Sequence, residues 1–184
     1  WVPDLEPYIE RKLFTVNTGH ATSAWFGYAA GIEKISDALA DPGVASKVAA
    51  VLAETASLIV AKHGVAADTQ AAYVQKILKR FANPYLPDTT LRVGRAPLRK
   101  LSRNDRFISP AAQLAERGMA RTALLEAVGA GLRFDPADDP EAVELEELLG
   151  TATAAEVVEK VTGLVPGHPL YDDVVAVVEA RQAG

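Results

Sequence analysis

Three polar side chains near the start of this 184-residue chain stand in apolar surroundings: Lys12, Asn17 and His20, in the run Lys-Leu-Phe-Thr-Val-Asn-Thr-Gly-His. Their chemistries are complementary. A lysine in a dry pocket has its pKa lowered enough to accept a proton near neutral pH. An asparagine amide donates to a carbonyl oxygen that gains negative charge as hydride arrives. A histidine donates to, or accepts from, a neighbouring hydroxyl. Together they suit the interconversion of an alcohol and a ketone without a metal. If the segment is helical, about 100° per residue sets Asn17 about 140° from Lys12 and His20 about 80° from it, so that one arc could line one side of a pocket. Each residue also has an ordinary reading: a lysine near a helix end is usually solvated, and a buried histidine is usually a satisfied core residue. Spacing alone leaves those readings open.

A second group is basic. Arg92, Arg95, Arg99, Lys100, Arg103 and Arg106 are six cations within 15 positions, with Asp105 the only acid among them, in a chain of net charge −5. Such a concentration in an acidic protein points to an anionic partner or to an intramolecular acid cluster. For Arg95 and Arg99 the forked guanidinium suits phosphate oxygens. The competing reading pairs Arg95, Arg99, Arg103 and Arg106 with the acidic C-terminal helices. The overall negative charge argues against general nucleic-acid binding. His63 precedes a helix-ending glycine and His168 precedes a proline at a helix start, and both read as structural. The chain has no cysteine, which excludes a disulfide framework, a thiolate zinc site and a cysteine nucleophile. With no clustered histidines either, no bound metal is expected.

These residues need a scaffold, and the composition supplies one. Hydrophobic residues are 49% and charged residues 23% of the chain, the balance of one globular domain. No apolar run approaches the roughly 20 residues of a membrane span, so no membrane partner is expected. The start, Trp-Val-Pro-Asp, is neither an initiator methionine nor a signal peptide, and the chain is expected to be cut from something longer. The missing cysteines fit a reducing, cytoplasmic setting.

Helical periodicity dominates. Helices are expected over 18–30 with Gly31 as the stop, over 44–63 with Gly64 as C-cap, and over 69–81 with Asp68 as N-cap. Asp41-Pro42-Gly43 reads as a breaker. Residues 82–108 read as an irregular, functional loop with three prolines. Ser109-Pro110 reads as an N-cap and first helical position for a helix that stops at Gly118. Further helices are expected near 120–133, from the cap Asp139-Pro140, and near 153–161 and 168–181. Short links make neighbours antiparallel, and the whole reads as an all-α, multi-helical bundle.

The spacing Lys-x4-Asn-x2-His resembles the signature of the polyol-specific long-chain dehydrogenases, the mannitol dehydrogenase family. The likeness continues through the run from Glu10 to His20, through Tyr73-Val-Gln-Lys-Ile-Leu-Lys-Arg-Phe-Ala-Asn-Pro-Tyr-Leu86, through Arg92-Val-Gly-Arg-Ala-Pro-Leu-Arg-Lys-Leu-Ser102 and into Asn104-Asp105-Arg106. It is strongest before about residue 110 and resembles most the branch that interconverts mannitol 1-phosphate and fructose 6-phosphate. The resemblance implies a helical C-terminal domain of the 6-phosphogluconate dehydrogenase-like type over residues 9–184, with residues 1–8 as linker from a Rossmann-type, NAD-binding N-terminal domain. It implies that Lys12 is the general base, that Asn17 polarises the reacting oxygen, that His20 holds a substrate hydroxyl, and that Arg92 and Lys100, eight positions apart, bind substrate.

One departure is plain: no G-x-G-x-x-G follows a strand pattern, and Gly129-Ala-Gly131 lies within a helical one. The chain by itself is therefore expected to have no dehydrogenase activity, its site lying in the cleft against its own N-terminal domain. Two other readings compete. One keeps the chemistry for an unphosphorylated polyol or a sugar acid; the other is a helical interaction module that catalyses nothing.

Overall fold

The structure, a computed structural model, describes residues 5–184. They form an all-helical bundle, and among them the only β pairing is a bridge between Lys34 and Thr89. A first long helix comprises α1 (Glu6–Arg11), a π-helical turn (Lys12–Asn17) and α2 (Thr18–Ala29). Residues 1–4 of the expected linker lie outside the described residues, and its remainder from Glu6 is already the first turn of α1. Then follow α3 (Ile35–Ala40), α4 (Pro42–His63) and α5 (Ala67–Phe81). Two short helices, α6 (Thr90–Gly94) and α7 (Pro97–Lys100), give shape to the stretch read as an irregular loop. The rest is α8 (Ile108–Glu116), α9 (Thr122–Gly131), α10 (Pro140–Thr151), α11 (Ala154–Val157) with a π turn (Val158–Thr162), and α12 (Tyr171–Gln182).

Several ends differ from the expectation for physical reasons. Asp41-Pro42 is a start and not merely a breaker: Asp41 accepts the Val44 N–H at 2.9 Å, and Pro42 needs no donor at the first helical position. Asp68 does not cap α5, because the helix begins one residue before it and its carboxylate bonds the Thr69 N–H. Ser109 lies inside α8, whose first residue is Ile108. Helix α3 carries no strong periodic signal in its six residues and escaped the sequence reading. Gly64 does close α4 in the left-handed region, at φ 64°.

Helix α4 is the core of the bundle. Among the described helices it alone has the length and hydropathy to cross a membrane, but its Val44, Val48, Val51, Leu52, Leu58 and Ile59 are buried inside the fold. Trp25 of α2, fully buried, stacks on Phe107 with ring centroids 4.5 Å apart, and its indole N–H donates to the Gly94 carbonyl at 3.0 Å. That bond ties α2 to the end of α6 and so to the start of the basic loop. Gly131 makes room for Trp25, since a Cβ there would come within 2.5 Å of Trp25 Cζ3. The bridge at Lys34 and Thr89 adds a second tie, with Ile35 N–H donating to Asp88 O and Thr90 N–H to Glu33 O. The loop is thus fastened to α2 and α3 on either side of Asp88.

Candidate active site

The π turn begins at Lys12 and ends at Asn17. In a π turn the backbone bonds run from residue i+5 to residue i, as from Thr18 N–H to Leu13 O here, and such turns are frequent at functional sites. This wider winding carries Asn17 back over Lys12 more closely than uniform α-helical rotation would. His20 follows one α-turn later, so the three share a narrower stripe than the expected arc. Thr18 is fully buried and helps hold the irregularity: its hydroxyl is 2.7 Å from the Arg106 carbonyl and 3.1 Å from that of Leu13. Gln70 of α5, also fully buried, supports the same turn by donating to Thr15 Oγ1 at 3.0 Å and accepting from Arg11 Nε at 2.8 Å.

Asn17 and His20 open onto a cavity of about 250 Å³ together with Asp88, Arg92, Val93, Arg95, Arg99, Lys100 and Arg106. Six of the seven residues singled out from the sequence therefore meet in one place. The seventh, Lys12, is exposed and lies outside this lining. The dry pocket that its chemistry calls for is not formed by the described residues.

His20 is held by stacking and by charge. Its ring lies on Phe81 at 4.6 Å with the planes 10° apart, and its Nε2 is 3.3 Å from Asp88 Oδ2. Burial lowers its pKa more than Asp88 raises it, and the cations Arg80 and Arg106 lower it further. The ring is therefore neutral at pH 7, fit to exchange a hydrogen bond with a hydroxyl.

Lys100 is the buried lysine of the site, only 3% exposed. Its pKa is pushed down to about 8, chiefly by burial and then by the neighbouring Arg106 and Arg99. Its ammonium donates to the Arg95 carbonyl. The arginines are less committed. Arg92 is 62% exposed and 3.4 Å from Asp88, Arg99 is 3.8 Å from Asp105, and Arg106 Nε bonds Asp105 at 2.8 Å. Arg95 has no ion pair among the described residues and is exposed. Arg103 turns away to Glu116 on α8. Asp139 and Glu141 at the head of α10 accept backbone N–H groups of the loop, at Ala96 and Arg99, rather than its arginine side chains.

Sequence reasoning missed Asp88, and it left Arg106 undecided between ligand and structural partner. Asp88 stands four residues before Arg92, a spacing that pairs charges across a helical turn, and that was the available signal. Among the described residues no group of three or more His, Asp or Glu side chains could hold a metal ion. His63 and His168 have structural partners: His63 Nε2 is 2.7 Å from Glu10, and His168 Nδ1 accepts the Leu170 N–H.

The mannitol dehydrogenase C-terminal domain family matches residues 4–177. The chain belongs to that family. It is 65% identical over 183 residues to mannitol-1-phosphate 5-dehydrogenase of Paenarthrobacter aurescens (strain TC1), a match covering 100% of this chain and 48% of that protein. It is 56% identical over 186 residues to mannitol-1-phosphate 5-dehydrogenase of Aspergillus clavatus, again covering 100% of this chain and 48% of that protein. The chain thus spans about half the length of these relatives. Its fold matches that of a Pseudomonas fluorescens mannitol 2-dehydrogenase, solved as a ternary complex with NAD and D-mannitol, with a TM-score of 0.78 over 99% of this chain and 39% of that one. At 19% identity that likeness bears on the fold alone. The helical domain expected of the mannitol dehydrogenase family is the one observed.

Proposed function

We propose that this chain is the substrate-binding and catalytic half of an NAD-dependent dehydrogenase that interconverts mannitol 1-phosphate and fructose 6-phosphate in the cytoplasm. The observation that carries this reading is the meeting of Asn17 and a neutral His20 with five cations in one cavity. The first two suit the reacting carbon–oxygen group and its hydroxyl neighbours, and the cations suit a phosphate. The names of the mannitol-1-phosphate 5-dehydrogenases it resembles support the same substrate.

The described residues do not fit a dinucleotide. They contain no strand leading into a glycine-rich turn, which is what cradles a pyrophosphate. The cofactor is assigned to an N-terminal Rossmann-type domain reached through residues 1–8, and NAD would accept or supply the hydride there. The cavity of about 250 Å³ is smaller than the roughly 300–1,000 Å³ of a complete ligand pocket, in keeping with a second wall from that domain. The exposed Leu5, Tyr8 and Ile9 beside Lys12 suit an apolar cover on the same side. Once covered, Lys12 takes the hydroxyl proton when the alcohol is oxidised and returns it when the ketone is reduced. Asn17 donates to the reacting oxygen, His20 holds an adjacent hydroxyl, and Arg92, Arg95, Arg99 and Lys100 hold the phosphate end.

NADH oxidation by the full-length protein with fructose 6-phosphate and, separately, with fructose tests the proposal. Turnover strongly favouring the phosphorylated sugar is expected. Preference for fructose would move the function to an unphosphorylated polyol, and turnover of neither would remove it.

A further inference from the structure

The loop that carries the cations has an unusual backbone. Ala96, at φ 59° and ψ 62°, is the one non-glycine residue with positive φ among the described residues. A Cβ disfavours that left-handed region, so the surroundings must hold Ala96 in it. Its N–H donates to Asp139 Oδ2 at 2.7 Å, across 43 residues of sequence. The other oxygen of the same carboxylate accepts the N–H groups of Glu141 at 3.0 Å and Ala142 at 3.3 Å, capping α10. Glu141 in turn accepts the Arg99 N–H at 2.8 Å, within the first turn of α7. Two carboxylates at the head of α10 therefore satisfy backbone donors of the loop as well as those of α10. The residues around Ala96 are Arg95, Arg99 and Lys100, all of which line the cavity. A second hollow of about 510 Å³ shares Arg92 and Arg95 with that cavity and is also lined by Ala96, Asp139 and Glu141, so the bond from Ala96 to Asp139 joins two of its lining residues.

We propose that Asp139 is a positioning residue that keeps Ala96 in its left-handed turn and so sets Arg95, Arg99 and Lys100 for the anionic end of the substrate. The inference rests on the function proposed above for the identity of that substrate, though not for the backbone consequence. Asp139 touches no substrate in this account and acts through the loop alone.

Asp139→Asn separates the two duties of the side chain. Its one carbonyl oxygen keeps the cap of α10, for which asparagine serves as well as aspartate. Its amide nitrogen then faces the Ala96 N–H, donor against donor. In the full-length protein the variant is expected to raise KM for fructose 6-phosphate about tenfold, the scale of one lost charge-assisted hydrogen bond, with kcat within about twofold. Amide hydrogen exchange is expected to speed up about tenfold over residues 95–100 and to stay unchanged in α10. Adding Ala96→Gly is expected to restore most of the KM, since glycine adopts the left-handed region without a Cβ penalty. Unchanged exchange over 95–100 would overturn the proposal, as would a loosened loop with an unchanged KM, or faster exchange confined to α10. If the parent protein does not turn over fructose 6-phosphate, the proposed function fails by itself. The exchange measurement still decides the role of Asp139, and the KM comparison is then made with the sugar that does react.

Discussion

Lys12 and Lys100 occupy opposite surroundings in the two regions that make up the candidate site. Lys12 is exposed on a helical arm that runs unbroken from Glu6 to Ala29, interrupted only in its winding by the π turn. Lys100 is buried beneath a short, heavily braced loop, with its pKa down to about 8. The arm is rigidly placed: Glu10 accepts from Lys62, His63 and Gln113, at 2.9, 2.7 and 3.1 Å, which fixes α1 against α4 and α8. Burial and neighbouring cations thus complete the surroundings of Lys100 within the described residues, which leave Lys12 exposed. Burial disfavours the charged form of a lysine, and Lys100 is the buried one.

This contrast can be broken first at Lys12. Lys12→Ala in the full-length protein is expected to lower kcat about 10²- to 10⁴-fold, the usual share of a general base, with KM for fructose 6-phosphate changed little. A rise in KM with kcat intact would make Lys12 one more anion-binding group and erase the distinction. Arg95→Ala and Arg99→Ala sharpen it from the other side. Each is expected to raise KM for fructose 6-phosphate about 10- to 100-fold in steady-state kinetics, as charge-assisted bonds of ~1.5–3 kcal/mol are lost, and to leave turnover of fructose nearly unaffected.

The pH dependence follows from Lys100. Its charge is present below about 8 and lost above it, so KM for fructose 6-phosphate is expected to be flat up to that pH and then to rise. Lys100→Arg, cationic throughout, should flatten that rise. Stability moves the other way. The folded pKa lies below that of an unfolded lysine, so the unfolded chain binds more protons above pH 8, and this group makes the fold more stable as pH climbs from there towards about 10.4. The smallest effect concerns the tie between the two regions. Gly131→Ala would set a Cβ 2.5 Å from Trp25 Cζ3, and denaturant unfolding should show a loss of ~1–3 kcal/mol as Trp25 shifts and strains its bond to Gly94.

Much of this was legible in the sequence, for identifiable reasons. Long periodic helices such as α4, and sharp signals such as Gly64 and Asp139-Pro140, depend on neighbours a few residues away. Asn17, His20, Arg92 and Lys100 are marked by family spacing, Arg95 and Arg99 by the basic cluster and the fit of a guanidinium to phosphate, and the fold brings those six to one cavity. What escaped depends on distant contacts. The π turn at Lys12 is supported by the Thr18 hydroxyl on the carbonyl of Arg106, 88 residues away. Asp88 is aimed at His20 by the bridge between Lys34 and Thr89. The exposure of Lys12 depends on what surrounds it in space, and no periodicity encodes that.

Isothermal titration of this 184-residue chain with fructose 6-phosphate and with fructose tests most directly the proposal that Arg92, Arg95, Arg99 and Lys100 hold the phosphate end of the substrate. Measurable binding of fructose 6-phosphate below pH 8 is expected, weakening with added salt and at higher pH, with no comparable binding of fructose. Equal affinity for the two sugars, or phosphate-independent binding that survives Arg95→Ala with Arg99→Ala, would contradict it.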